Sequence, residues 1–291
     1  MRRKSVIFTL LAPAMLLIAA TSTYPLLFAL NSSFRRWKLS QSPTPGEFIG
    51  LDNYIRAFDD RFFVNSIKVT AIFTIISVGL TILIGLGMAL ILQKPGRLNM
   101  FIKTLLIFPF AVSPALKGYT FRFMLNPEYG ILDQLIDFVS PASSELVWLA
   151  NEFWALFWLA MTETYGWAPL MALMFIGALN AIPTDIFESA KVEGTTNWQL
   201  FRHITLPLLS PVIVIATLLK TIFSLKMFDQ VVTMTGGGPG RATQTLNYYV
   251  YQTAFVTLDM GYASALSYIL IIVMSILAYF YVRALYGKGG L

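Results

Sequence analysis

Residues Glu188–Pro207 read ESAKVEGTTNWQLFRHITLP. They are charged and amphipathic, yet they lie between two long apolar runs. Local signals predict two short helices here. Asp185 and Glu188, three residues apart, have the spacing of a capping box at the start of the first. Gly194 stops that helix, because glycine accepts the left-handed conformation at a helix end. Thr196 with Gln199 repeats the capping spacing for the second helix. Ile204 and Leu206 lead into Pro207, which suits the first turn of the helix that follows. Ile186, Phe187 and Ala190 gather on one side of the first helix, and Trp198, Leu200 and Phe201 on the second. An apolar side opposite charge suits docking into a groove, and it equally suits a loop resting on lipid headgroups.

The flanking apolar runs set the class. Of 291 residues, 56% are hydrophobic and only 12% are charged, against roughly 25% charged in soluble domains. Mean hydropathy is +0.67. With 23 Phe, 13 Tyr and 6 Trp, this is the composition of a polytopic membrane protein. The absence of cysteine excludes disulfides and thiolate metal sites. A helix needs about 20 apolar residues to cross the hydrocarbon core. Six stretches qualify, at roughly 6–30, 67–92, 102–124, 153–178, 208–228 and 261–283. The first follows Arg2, Arg3 and Lys4, but it continues through Leu30, well past a signal-peptide core. It reads as a retained span.

Six spans put both termini on one side. Lys/Arg in short loops favours the cytosol for that side: Lys94, Arg97, Lys103, Lys191, Arg202, Arg283 and Lys288 join the N-terminal cluster there. Basic residues of the first outer loop, Arg35, Arg36, Lys38, Arg56 and Arg61, are the main dissent. The second outer loop, 125–152, has no Lys or Arg and carries Glu128, Asp133, Asp137, Glu145 and Glu152. The segment 179–207 is then cytoplasmic. The net charge of +6 belongs to these flanks rather than to a nucleic-acid groove.

Glu188-Ser189-Ala190, three residues, Gly194, nine residues, and Ile204-x-Leu206-Pro207 together resemble the EAA loop of bacterial ABC importer permeases. Ser189 stands where the family usually has alanine, and serine is small enough for the same fit. The resemblance implies an all-α, six-span type I ABC importer permease fold, as a single transmembrane domain over 1–291. It implies that 179–207 is a coupling loop inserted into a cleft on an ATP-binding subunit, with Glu188, Ser189, Ala190, Gly194, Ile204, Leu206 and Pro207 at the contact. Phe228-Asp229 through Thr235-Gly236-Gly237-Gly238-Pro239-Gly240 to Tyr248-Tyr249 resembles an outer loop of the carbohydrate-type permeases of the maltose and glycerol-3-phosphate importer group. Taken alone, the glycine cluster reads as a mobile turn. In that group the loop can reach toward the solute-binding protein, which singles out Gly236, Gly237, Gly238 and Pro239. Gly50-Leu51-Asp52-Asn53-Tyr54, followed by Asn65-Ser66, is similar to the same group. The implied partners are a second permease subunit in a heterodimer, an ABC ATPase dimer holding ATP and Mg, an extracytoplasmic solute-binding protein, membrane lipid and a small-molecule solute, with no nucleic acid. The implied location is the bacterial cytoplasmic membrane, multi-pass, with both termini cytoplasmic. The long periplasmic insertion and extra N-terminal spans of the maltose permease are absent from this sequence, so maltose-specific detail does not carry over.

No G-x-x-x-x-G-K-[ST] occurs, and Gly287-Lys288-Gly289 lacks the rest of that motif. Hydrolysis therefore belongs to another subunit, and this chain holds no cofactor or metal of its own. The single histidine, His203, reads as a solvated residue of the second short helix. Charges at membrane depth are functional candidates: Lys117, Glu163 and Lys220. They read either as an internal ion pair fixing helix packing or as the lining of a polar pathway. With Tyr119, Tyr165, Trp167 and Phe223 they would suit a sugar or polyol, which needs hydrogen-bonding groups and aromatic faces. Arg122, Lys226 and Asp229 lie nearer span ends, where snorkelling suffices. The competing reading is an ion-coupled secondary carrier with Glu163 at the ion site, but no internal repeat of the kind such carriers often contain is evident.

Overall fold

The computed structural model describes residues 2–140 and 146–286. Glu145 and Lys288, the latter within the Gly287-Lys288-Gly289 run, lie outside them, as do the side chains of Arg2, Arg3 and Lys4. Apart from two isolated antiparallel bridges, Arg35 with Phe48 and Lys38 with Asp259, regular structure among the described residues is helical. In chain order the α-helices are α1 (Arg2–Ile18), α2 (Tyr24–Ser33), α3 (Asp52–Asp59), α4 (Arg61–Leu92), α5 (Arg97–Leu105), α6 (Ile107–Ala111) and α7 (Pro114–Met124). There follow α8 (Ile131–Val139), α9 (Glu152–Asn180), α10 (Thr184–Val192), α11 (Asn197–Leu200), α12 (Leu206–Leu225), α13 (Leu246–Tyr251) and α14 (Met260–Tyr286).

Four continuous helical stretches are long and apolar enough to cross a membrane: Leu10–Ser33, Arg61–Leu92, Asn197–Leu225 and Met260–Arg283. Two bent helix pairs pass the same test together, which gives six if each pair is one span. Arg97–Ala111 meets Pro114–Met124 at 96°, and Glu152–Asn180 meets Thr184–Val192 at 72°. The stretch 102–124 is therefore not the single straight span expected. Its break has a local cause: a residue before proline is pushed out of the α region. Ser113, before Pro114, is extended (φ −61°, ψ 144°), and its side chain caps α7 by accepting from Leu116 N–H. By contrast, Pro169 is absorbed inside α9.

The described backbone divides into two compact units, one of residues up to 64 with 249–273, the other of residues 65–140, 146–248 and 274–286. In the first, the end of α2 is tied down by α3. The buried Asn53 amide donates to Ser33 O at 2.8 Å and Arg35 O at 3.0 Å, satisfying carbonyls that a helix end leaves without partners. Tyr54 Oη lies 2.7 Å from Ser33 Oγ. Thus the Gly50–Tyr54 motif serves this junction. Asp60 accepts from Tyr249 Oη and, at 2.8 Å, from Tyr262 Oη, and Arg56 pairs with Asp259 at 2.8 Å. Partial burial pushes the Asp60 carboxyl up. The tyrosine hydroxyls and the Phe62 and Phe63 amides outweigh this and hold it below its ordinary value. Burial, then the bond to Asp60, pushes the Tyr249 phenol up to about 12.

In the second unit two apolar clusters form along α9. One contains Phe73, Leu159, Ala160, Met227, Val231 and Met234. The other contains Ala89, Met171, Phe175, Leu179, Leu209 and Ala216. On α9 the clusters leave a gap between Ala160 and Met171, and along the chain of α12 and its continuation they leave one between Ala216 and Met227. Polar side chains fill it.

Candidate functional site

That polar layer is built from three helices. On α9, Glu163, Gly166 and Trp167 share a face because residues three and four apart align. On α12, Lys220, Phe223 and Ser224 do the same. Lys220 Nζ donates to Glu163 Oε1 at 2.9 Å; Lys220 is 0% exposed and Glu163 6%. The ammonium also lies 5.5 Å from the centroid of the Trp167 ring, within cation–π range. Trp167 packs on Phe223 at 4.5 Å and on Phe110 at 5.3 Å. From α7, Lys117 lies across Gly166, where any Cβ would overlap its Nζ. Lys117 is 4% exposed and interacts electrostatically with both Glu163 and Lys220. One carboxylate thus faces two ammonium groups.

The aromatic residues expected beside these charges divide. Trp167 joins the layer. Phe223 joins it while remaining about half exposed. Tyr165 and Tyr119 stand outside, each about half exposed, with Tyr165 resting on Phe121 at 5.6 Å. Sequence reasoning missed two buried groups. Ser224 Oγ and both amide atoms of Gln230 make no hydrogen bond among the described residues. Ser224 lies one turn beyond Lys220, a spacing the sequence displays. Gln230 packs against Gly118, the neighbour of Lys117, which only the fold reveals. A buried hydroxyl stripe on α4, Thr70, Thr74, Ser77 and Thr81, also went unread although its helical spacing was visible.

The segment quoted at the outset has defined ends. Gly194 takes φ +77°. Its N–H reaches Lys191 O at 3.0 Å, and Thr195 N–H reaches Ala190 O at 3.2 Å, a Schellman termination of α10. Two expectations need correction. Asp185 does not cap α10, which starts after Pro183 with no side-chain cap. Pro183 (φ −57°, ψ 135°) sets the start two residues early, and Asp185 falls in the first turn, where its charge suits the helix dipole. Nor is the second helix separate from the fifth span. Thr196 and Gln199 form the expected reciprocal capping box, but α11 continues through a wide π-type turn, Phe201–Thr205, into α12. Leu206 N–H reaches back to Phe201 O. The widened turn falls just before Pro207, which has no N–H to contribute, so the helix passes the proline unbroken. Glu188, Ser189, Gly194 and Pro207 are exposed, Ala190 is buried, and Ile204 and Leu206 are half-buried. Trp198, 65% exposed, packs on Phe201 at 5.7 Å.

The glycine-rich turn is also held in place. Gly236 and Gly237 have φ of +60° and +84°. Tyr248 Oη donates to Gly236 O at 3.0 Å, and its ring lies so close to Gly237 that a Cβ would come within 2.6 Å of it. Thr243 Oγ1 lies 2.7 Å from both Gly238 O and Thr235 Oγ1, and Pro239 O accepts from Ala242 N–H at 2.7 Å. No group of three or more His, Cys, Asp or Glu able to hold a metal occurs among the described residues.

Residues 81–288 match the protein family described as binding-protein-dependent transport system inner membrane component. The sulfoquinovosyl glycerol transport system permease protein SmoG of Agrobacterium fabrum is 34% identical over 279 residues, covering 96% of this chain and 90% of that one. The trehalose/maltose transport system permease protein MalF of Thermococcus litoralis is 34% identical over 222 residues, covering 76% and 74%. In fold, the chain is similar to one from a bacterial ABC transporter involved in the import of the acidic polysaccharide alginate. The TM-score is 0.84 at 17% identity, covering 99% of this chain and 98% of that one.

Proposed function

The chain belongs to the family of binding-protein-dependent transport system inner membrane components, and from that premise we propose how its parts divide the work of import. It is a multi-pass inner-membrane permease subunit of an ABC importer for a carbohydrate-type solute. It is not itself catalytic, because hydrolysis resides on a separate ATPase subunit. With a second permease it encloses the pathway, each contributing half. Both termini face the cytoplasm, so α10 and α11 meet the ATPase, which holds ATP and Mg. A solute-binding protein delivers the solute at the opposite face, near the turn containing Gly236, Gly237, Gly238 and Pro239.

The observation that carries the coupling role is mechanical. α10 ends in a hydrogen-bonded stop at Gly194, while α11 is continuous with the fifth span through Leu225. A push on α11 at the ATPase would reach the helix bearing Lys220 along one continuous rod, while Glu188, Ser189 and Ala190 on α10 dock beside it, joined to it across the Gly194 turn. Closure of the ATPase dimer on ATP would swing that rod, and release of ADP and phosphate would reset it. Glu163, Lys117 and Lys220, with Trp167, Phe223, Tyr165 and Tyr119, line the pathway in this reading. An ion-coupled carrier centred on Glu163 is disfavoured by the family itself.

The test is Gly194→Asp in the complete transporter. A side chain at φ +77° is strained by about 1–2 kcal/mol, and the new charge falls in the docking surface. Binding-protein-stimulated ATP hydrolysis should be lost, or the ATPase should fail to co-purify. Normal co-purification together with normal uptake removes the coupling role.

A further inference from the structure

Helix packing alone accounts for the Glu163–Lys220 pair, because a well-formed buried pair roughly balances its own desolvation. It does not account for Lys117. The residue is 4% exposed, and its ammonium makes no hydrogen bond among the described residues and shares its one carboxylate with Lys220. It has three N–H donors, and the one carboxylate near it already takes a hydrogen bond from Lys220. The layer therefore carries one positive charge more than its own residues neutralise. Ser224, one turn beyond Lys220, and Gln230, whose backbone packs on Gly118 next to Lys117 in the chain, carry buried polar atoms without partners among the described residues. The cover over Lys220 is aromatic: Trp167, packed at a tilt on the half-exposed Phe223.

Resting on the pathway reading above, we propose that the transported solute is anionic, a carbohydrate-type molecule bearing a carboxylate, sulfonate or phosphate, and that Lys117 is its charge partner in the membrane. When the Trp167–Phe223 pair shifts during alternating access, the anionic group enters the layer, accepts hydrogen bonds from Lys117, and supplies the missing negative charge. Ser224 and Gln230 hydrogen-bond the hydroxyl groups. An uncharged sugar leaves the excess charge in place and gains nothing from Lys117.

The test uses the whole transporter in proteoliposomes: this chain, the second permease, the ATPase and the binding protein. Two anionic probes, sulfoquinovosyl glycerol and sn-glycerol 3-phosphate, are compared with two uncharged ones, trehalose and maltose, by ATP-driven uptake. An anionic probe should enter at least about tenfold faster than either uncharged sugar. Lys117→Gln should slow that uptake about 10- to 100-fold, the range of one charge-assisted hydrogen bond. Lys117→Arg, which keeps the charge, should retain most of it. Co-purification with the ATPase reports assembly, and if Lys117→Gln does not assemble, the probe comparison and Lys117→Arg still decide. Faster uptake of trehalose or maltose overturns the charge proposal and leaves the carbohydrate permease standing. Uptake of none of the four overturns both. Undiminished anion uptake by assembled Lys117→Gln removes Lys117 from the site.

Discussion

Glu163→Gln keeps the shape of the side chain and removes its charge. In the native protein Lys220 Nζ lies 2.9 Å from Glu163 Oε1, and Lys117 faces the same carboxylate. With glutamine, two buried ammonium groups remain and repel each other. Breaking one side of a buried pair costs about 3–5 kcal/mol, a large share of the roughly 5–15 kcal/mol that holds a domain folded. Lys220→Met should cost less, because Glu163 keeps Lys117 as its counter-charge. The double variant Glu163→Gln/Lys220→Met should recover part of the loss, since it removes both the unpaired Lys220 and the repulsion. At roughly 2–4 °C per kcal/mol for a chain of this size, Glu163→Gln should lower the melting temperature by about 10 °C. Fluorescence-detected size-exclusion of the heated, detergent-solubilised transporter would read all three variants together. If Lys220→Met is the most damaging, or if Glu163→Gln melts with the native protein, the three charges do not share one carboxylate and the reasoning fails.

Gly166→Ala places a methyl where Lys117 Nζ now sits. Because that atom ends a flexible side chain, the cost falls at the low end of the range for overpacking, about 1–3 kcal/mol, and the ammonium shifts off Gly166. Uptake should fall while co-purification with the ATPase persists, and combination with Lys117→Ala should restore the melting temperature; an unaltered melting curve and unaltered uptake for Gly166→Ala would contradict the close approach. Asp60 sets a pH dependence. Its folded carboxyl is held below the ordinary value of 3.8, so the unfolded chain binds the proton more readily in acid. Its contribution to stability is complete above that ordinary value and is lost as pH falls through the lower folded value. The Tyr249 donor stays protonated throughout, its phenol being pushed up to about 12. Melting temperatures between pH 3 and 7, a range chosen at about the carboxylate region, should fall at the acid end, and Asp60→Asn should flatten that fall. Parallel curves for the two proteins would dismiss the claim.

Several elements were legible because their causes are local. Gly194 needs only its own φ, and Thr196 with Gln199 needs only three residues of helix. The apolar lengths pointed to the four continuous long helices. The break at Ser113–Pro114 was equally local and was passed over because hydropathy averages across it. The Asp185 cap failed through competition: Pro183 had already set where α10 begins. Pro207 suggested a helix start, whereas a wide turn lets the helix run through it.

Composition, apolar length, the charged interruption at 188–207 and the absence of a phosphate-cradling motif are properties of consecutive residues. They were sufficient for a helical, multi-span membrane protein; that it is a permease served by a separate ATPase came from the resemblance of 188–207 to the EAA loop and from the family match. Which charges meet is a different kind of fact. Glu163 and Lys220 are separated by 57 positions, and Lys117 reaches them only because α7 passes over a glycine on α9. Electrostatic energy depends on distance through space and on what shields it, and folding alone sets both. The excess positive charge therefore becomes visible only once the three helices are packed between their two apolar clusters.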